Sequence, residues 1–311
     1  MKAWRVHAFG PPEAMRFERV ARPAPGAGEV LVKVHAAGVG PWDGWIRSGK
    51  SALPQPLPLT LGSDLSGVIE AVGLDVTGLQ IGDSVYGVTN PRFIGAYAEY
   101  AVASAAMIAR KPASLGHIEA ASVPVIAVTA WQGLFDESRL TKGQTVLIHG
   151  GAGNVGAYAV QMARGAGLRC IATAGTAEVD HVRSLGADTV VDYRTQRFED
   201  VARDVDVVLD LVGGETQQRS FQVLRPGGKL ISAVSQPDPA LAERHGVEAR
   251  FFLVKVTTEH LTRLAAMIAR VELRTRVGLV LPLAEARDAH LVLEGQRSAP
   301  KGKIVLAVVG R

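Results

Sequence analysis

Gly151, Gly153 and Gly156 form a G-x-G-x-x-G turn. The aliphatic run Val146, Leu147 and Ile148 precedes it, and an apolar helical face of Ala157, Ala159, Val160 and Ala163 follows. In that position each glycine has its own task. Gly151 permits the tight turn, Gly153 lets the backbone approach a pyrophosphate, and Gly156 lets helix and strand pack closely. The free N–H groups of the new helix, at Asn154 and Val155 among others, would face the phosphates at the positive end of the helix dipole. A triple glycine alone is also a common structural turn; between a strand and a helix it predicts dinucleotide binding.

The next predicted strand ends in Thr173, Ala174, Gly175 and Thr176, and the first acids, Glu178 and Asp180, come later. NAD sites commonly place Asp or Glu at this strand end to hold the ribose 2′-hydroxyl. Its absence leaves room for a 2′-phosphate and predicts NADPH over NADH, although Ala177 and Glu178 stand where a base would help. Metal chemistry has little to draw on. A zinc site needs three or four ligands from Cys, His or carboxylate, and Cys170 is the only cysteine among eight histidines with no H-E-x-x-H pair. No metal is expected. His149, at the end of the first of these strands, reads as a core-lining histidine rather than an acid.

Elements that position these residues emerge from the patterning. The 311 residues suggest two domains, and 47% hydrophobic with 21% charged residues describes an ordinary globular chain. The net charge of +4 is diffuse, without the basic clusters and interleaved aromatics of a nucleic-acid face. No run of 18 apolar residues occurs, and MKAWRVHAFG lacks the apolar core of a signal peptide. A cytoplasmic protein without membrane or nucleic-acid partners is the expectation. One cysteine fits a reducing compartment.

From Lys2 to about Lys111 short alternating strands are broken by Gly, Pro and Asp, which predicts a mostly β domain, with Pro54–Leu61 an extended loop. Helical spacing then begins, and strands alternate with helices: Leu168–Thr173, a helix through Val182 and Leu185, Thr189–Asp192, Val205–Leu211, a helix through Phe221 and Leu224, and Lys229–Val234. Such alternation predicts a doubly wound parallel sheet. The tail, with strands near Arg276–Leu281 and Lys303–Val308 around a helix at Ala284–Glu294, is expected to return to the first domain. The fold class is α/β.

Ordered segments now carry a resemblance: AAGVGPWDGWIRSG from Ala36, LGSDLSGVIEAVG from Leu61, GAYAEY from Gly95, PVIAVTAWQGLF from Pro124, LIHGGAGNVG from Leu147, RSLGADTVVDY from Arg183, LRPGGKL from Leu224 and KGKIVL from Lys301. Nearly the whole chain resembles the medium-chain dehydrogenase/reductase superfamily, in its zinc-independent quinone oxidoreductase branch. The resemblance implies a GroES-like β domain from residues 1–121 with 270–311, a Rossmann domain over 122–269, and a cofactor cleft separating them. In zinc-dependent relatives the ligand cysteine and histidine stand where this chain has Gly40 and Ser63, and the proton-relaying hydroxyl where it has Trp42.

The resemblance further implies cofactor contacts at Gly175, Thr129, Val212, Phe252 and Val254. Tyr193 matches an aromatic beside the 2′-phosphate, and Lys303 a basic residue approaching the phosphates; Arg194 could substitute for the missing base. Relatives usually carry Asn at the position of Gly40, which leaves the catalytic group unassigned, with Ser63 and Asp43 as candidates. Asp43 reads more readily as a group fixing loop geometry. Trp42 and Trp45 offer flat apolar surface for a quinone or aryl ring, or pack the loop. Asn90 is a second donor candidate or a turn residue before Pro91.

The expected activity is NADPH-dependent reduction of quinones, conjugated acceptors that need no metal. An alkenal or enone double-bond reductase fits the same residues, and so does an NADPH-binding structural or regulatory protein with little activity. Relatives are commonly homodimers, and Val247–Val256 is a candidate edge strand for such pairing.

Overall fold

A computed structural model describes residues 1–309. The chain forms two compact units, one from residues 1–125 and 256–311 and one from 126–255. In the first, alternating and β-branched stretches give β1 (Lys2–Val6), β2 (Met15–Arg19) and the long β3 (Glu29–Val39). Helix α1 (Pro41–Ser48) follows, then β4 (Leu59–Thr60), β5 (Asp64–Val72), β6 (Ser84–Val88), β7 (Tyr100–Ser104), β8 (Ile108–Arg110) and α2 (His117–Ala121).

Pro124–Trp131 forms α3. The second unit then alternates as its periodicity predicts: β9 (Thr145–Ile148), α4 (Asn154–Gly165), β10 (Arg169–Ala174), α5 (Val179–Leu185), β11 (Thr189–Asp192), β12 (Val205–Asp210), α6 (Gly214–Ser220), β13 (Leu224–Ser232), α7 (Pro239–His245) and β14 (Glu248–Phe251). The tail adds α8 (Thr258–Ala269), β15 (Val277–Pro282), α9 (Ala286–Leu293) and β16 (Lys303–Ala307).

The first unit holds a sheet ordered β15-β16-β3-β5-β6-β8, with β7 also on β3, and a smaller one ordered β2-β1-β4. Its core gathers Val30, Val32, Val34, Leu65, Ile69 and Val85, the inward residues of three strands. Register irregularities between β3 and β5 bend the sheet, as bulges do. The tail does return here: β16 lies antiparallel to β3, with Ile304 opposite Val39.

The second unit is a parallel sheet ordered β11-β10-β9-β12-β13-β14. The chain runs outward from β9 to β11 and then returns to its other side at β12. The C-terminal ends of β9 and β12 therefore flank the switch point where such sheets bind ligands.

Three expectations change. Leu59 and Thr60, read as loop, pair with β1. The helix expected through Phe221 and Leu224 runs as α6 to Ser220 and tightens to a 3-10 turn over Phe221–Val223, and Leu224 opens β13. The unit boundaries fall at 125 and 256 rather than 121 and 270, because Leu261, Leu264 and Ile268 form the buried stripe of α8 and Tyr86 of β6 donates its hydroxyl to Leu261 O at 2.6 Å. Among the described residues, no helix is long and apolar enough to cross a membrane.

Candidate active site

In the second unit, β9 ends at Ile148 and the chain turns at Gly150, whose φ of +73° is a left-handed conformation that glycine adopts freely. Gly150 N donates to Thr173 Oγ1 at 3.0 Å, and Gly151 N donates to Thr173 O at 2.8 Å. A Cβ on Gly156 would lie 2.1 Å from Gly150 O, so α4 packs against the turn only without a side chain there. Gly153 is the exposed N-cap of α4 and brings no capping side chain. The first N–H groups of a helix have no partner within it. Here they open onto the switch point, a cradle suited to a pyrophosphate.

At the end of β10, a Cβ on Gly175 would lie 3.2 Å from Tyr193 Oη and 3.6 Å from Arg194 Nε. Tyr193 is exposed, with the Arg194 guanidinium 5.9 Å from its ring centroid. An aromatic ring and a cation therefore border the backbone where an acid is missing. Asp192, overlooked in the sequence, also stands here. Hydrogen bonds led by the Thr176 side chain hold its carboxyl below the usual range. Exposed Val212 flanks Gly150, with Cγ2 3.4 Å from a Cβ built there. Thr129 and Phe252 are buried and Val254 is half-buried.

The first unit gathers the other candidates around α1. Pro41 occupies the first turn of this helix, and Asp43, at the third position, accepts from Gly40 N at 2.8 Å. Tyr97 also donates its hydroxyl to Asp43, at 3.0 Å. Burial pushes the Asp43 carboxyl up to about 7, against the opposing pull of Gly40 N–H and Lys303. Its position favours loop fixing, since its side chain is wholly buried.

Trp42 bends back over Gly40. A Cβ on Gly40 would fall 2.2 Å from Cη2 and 2.4 Å from Cζ2 and Cζ3 of the indole. Trp42 Nε1–H donates to Ser63 Oγ at 3.0 Å, and the Lys303 ammonium stands 4.3 Å from the ring centroid. Lys303 Nζ lies 3.0 Å from Asp64 Oδ2, both side chains being buried. Asp64 Oδ1 accepts from Val125 N at 3.2 Å. Burial raises the Asp64 carboxyl, and Lys303 opposes the rise.

Several candidates thus take up different work from that expected. Lys303, expected at cofactor phosphates, is engaged in an interior ion pair, and Ser63 lies fully buried beneath Trp42. Asn90 spends its amide on its own turn, donating to Ile94 O at 2.7 Å and accepting from Arg92 N at 3.0 Å. Trp45 alone of the two tryptophans presents a largely open ring, 52% exposed. Sequence reasoning missed the Asp64–Lys303 pair. A carboxylate in the apolar run LGSDLSGV and a lysine in GKIVL were its signal, since buried charges need partners.

Zinc does not fit these residues. Trp42 fills the space beside Gly40, Ser63 is committed to the indole, and burial pushes the Cys170 thiol up to about 12, far from a ready thiolate. Among the described residues, no group of three or more His, Cys, Asp or Glu could hold a metal ion.

Comparison with known proteins gives the setting for this geometry. Residues 26–113 match a family described as alcohol dehydrogenase GroES-like domain, and residues 185–306 one described as zinc-binding dehydrogenase. A quinone oxidoreductase of Sus scrofa is 34% identical, covering 98% of this chain and 97% of its own. The quinone oxidoreductase from Coxiella burnetii has a similar structure, with a TM-score of 0.91 at 33% identity over 99% of each chain. Escherichia coli quinone oxidoreductase complexed with NADPH superposes with a TM-score of 0.86 at 26% identity, covering 98% of this chain and 100% of that one. The chain is an oxidoreductase enzyme and belongs to the medium-chain dehydrogenase/reductase superfamily, in its zinc-independent quinone oxidoreductase branch.

Proposed function

We propose that the protein is an NADPH-dependent, zinc-independent reductase of quinones. The observation that carries the reading is the end of β10 at Gly175, which brings no acid from its own strand and is bordered by Tyr193 and Arg194, with the Asp192 carboxyl held aside by Thr176, next to the uncapped N-terminus of α4. Relatives named quinone oxidoreductase, one of them complexed with NADPH, support it.

When bound, the nicotinamide supplies a hydride to an electrophilic atom of the acceptor. Asn154, Val155 and Gly156, in the first turn of α4, would hold the pyrophosphate through backbone N–H groups, while Gly151 and Gly153, whose N–H groups donate to Thr173 O and Gly150 O, would let the backbone approach it. Gly175, Tyr193 and Arg194 would receive the 2′-phosphate, and Thr129, Val212, Phe252 and Val254 would border the rest of the cofactor. Trp45 offers its open ring to a flat acceptor. With Ser63 and Asp43 both buried, the chain brings no exposed acid of its own among these candidates. That favours conjugated acceptors, whose reduced oxyanion is delocalised and takes its proton from solvent. The strand β14, at the edge of its sheet, is the surface we assign to a homodimer.

The test follows NADPH and NADH absorbance in parallel with a naphthoquinone, a benzoquinone and an aliphatic enone. Quinone-dependent loss of NADPH, with NADH much slower, is expected. Enone turnover without quinone turnover would replace the substrate class, and no turnover despite NADPH binding would remove the catalytic reading.

A further inference from the structure

His149 is fully buried at the C-terminal end of β9, one residue before the glycine turn. Its Nδ1 lies 3.3 Å from Thr173 Oγ1 and its Nε2 lies 2.9 Å from Ser220 Oγ. The neighbours decide where its proton sits. Ser220 Oγ is 2.7 Å from the carbonyl oxygen of Thr216, which can only accept, so the serine hydroxyl is spent there and its oxygen receives Nε2–H. Gly150 N–H donates to Thr173 Oγ1, and with the proton of the neutral ring on Nε2, Nδ1 can only accept, so the Thr173 hydroxyl turns its own proton toward it.

One directed chain results. Gly150 N–H donates to Thr173, and Thr173 O–H to His149 Nδ1; His149 Nε2–H donates to Ser220, and Ser220 O–H to Thr216. Every group has a partner only if the imidazole is neutral with its proton on Nε2. Burial also draws the imidazole down to about 4, which keeps it neutral at physiological pH. The Phe198 ring packs against the imidazole in a T-shaped arrangement, 4.7 Å between centroids.

Thr173 is the only residue that holds the turn at both Gly150 N and Gly151 N among the contacts seen here. Gly150 O in turn packs against Gly156 at the start of α4. The Thr173 hydroxyl, acting at Gly150 beside the backbone bond at Gly151, therefore steadies the turn from which α4 starts, and His149 orients that hydroxyl. The same ring reaches the last residue of α6, which follows β12 on the other side of the switch point.

We propose that His149 is a positioning residue for the dinucleotide: as the Nε2–H tautomer it locks Thr173 onto the glycine turn and so fixes the donors that hold the pyrophosphate. The proposal rests on the reading that this turn binds NADPH, although its structural half can be read without cofactor.

The experiment compares wild type with His149→Phe, His149→Asn and Thr173→Val. Phenylalanine fills the space without an acceptor, whereas the asparagine amide oxygen can stand near the place of Nδ1. Losing one such hydrogen bond is expected to raise Kd and KM for NADPH about tenfold in His149→Phe and Thr173→Val, with kcat for a quinone nearly unchanged. His149→Asn is expected to recover most of the affinity. A general loss of folding would lower kcat or active fraction instead.

Hydrogen exchange at the Gly150 amide, measured without cofactor, is expected to quicken in the phenylalanine and valine variants and to recover in the asparagine variant. Nitrogen-detected NMR of wild type is expected to place the proton on Nε2. Unchanged Gly150 exchange in His149→Phe, an asparagine variant as impaired as the phenylalanine one, or a proton on Nδ1 would each overturn the proposal. If wild type bound no NADPH, the functional reading would fail, and Gly150 exchange would still decide the tautomer lock. If His149→Phe did not fold, Thr173→Val would give the same readings.

Discussion

Replacing Gly40 by alanine tests the packing of Trp42 directly. Gly40 has φ −135° and ψ 164°, extended backbone that any residue adopts, so alanine meets no backbone strain. The whole effect must come from the indole, whose Cη2, Cζ2 and Cζ3 lie 2.2 to 2.4 Å from the new Cβ. The ring has to move by more than an ångström. In doing so it gives up the 3.0 Å bond from Nε1 to Ser63, about 1 kcal/mol, and the ammonium of buried Lys303 at 4.3 Å, about 2 kcal/mol. The sum predicts a loss of about 3 kcal/mol, read from denaturant unfolding followed by circular dichroism. A cycle isolates the cause: with Trp42→Ala already present, Gly40→Ala should cost almost nothing. The reasoning is refuted if Gly40→Ala alone unfolds within about 0.5 kcal/mol of wild type, or if the two substitutions add.

Three further outcomes follow from the same geometry. Arg194→Ala is expected to weaken NADPH about tenfold while leaving NADH binding unchanged, as titration of each would read; equal losses would place Arg194 away from the 2′-phosphate. Lys303→Met should cost about 3–5 kcal/mol at pH 7, because it leaves the Asp64 carboxylate buried without its partner, and adding Asp64→Asn should return part of that loss in the same unfolding assay. His290, buried near Arg47 and against the Tyr97 ring, has its imidazole drawn down to about 3 by burial. Its folded value lies below the unfolded 6.5, so its contribution is full above pH 6.5 and falls as acid is added, by about 2 kcal/mol between pH 6.5 and 5. Asp43, raised to about 7, acts in the opposite sense, so the comparison is with His290→Leu, which should lose less stability between pH 7 and 5 than wild type; equal losses would show that His290 does not titrate differently on folding.

The local chemistry of the dinucleotide turn was legible because it is contiguous. Strand, glycines and helix are neighbours in the chain, and Gly153 and Gly156 answer steric demands made by the adjacent Gly150, although the space at Gly151 is set by Ala172 and Val182 of later segments. The same locality made the parallel sheet readable from alternating periods, and the missing acid visible at Thr176. Even the tail strand at Lys303–Ala307 could be placed by its apolar run.

What contiguity cannot convey is which distant groups meet. Lys303 and Asp64 are 239 positions apart, and only the pairing of β16 on β3 beside β5 brings a cation and a carboxylate into one interior. Trp42 could be read as aromatic surface for a substrate or as loop packing, and only folding laid it over Gly40, bound to Ser63. His149 gave no sign of its proton, which is set by Thr173 and Ser220 on two other segments. Sequence by itself determined the fold class, the two-domain plan and the strand–glycine–helix turn, all products of short-range sterics and periodicity. Tertiary structure alone decided which polar groups are buried together, and burial fixes charge, tautomer and availability.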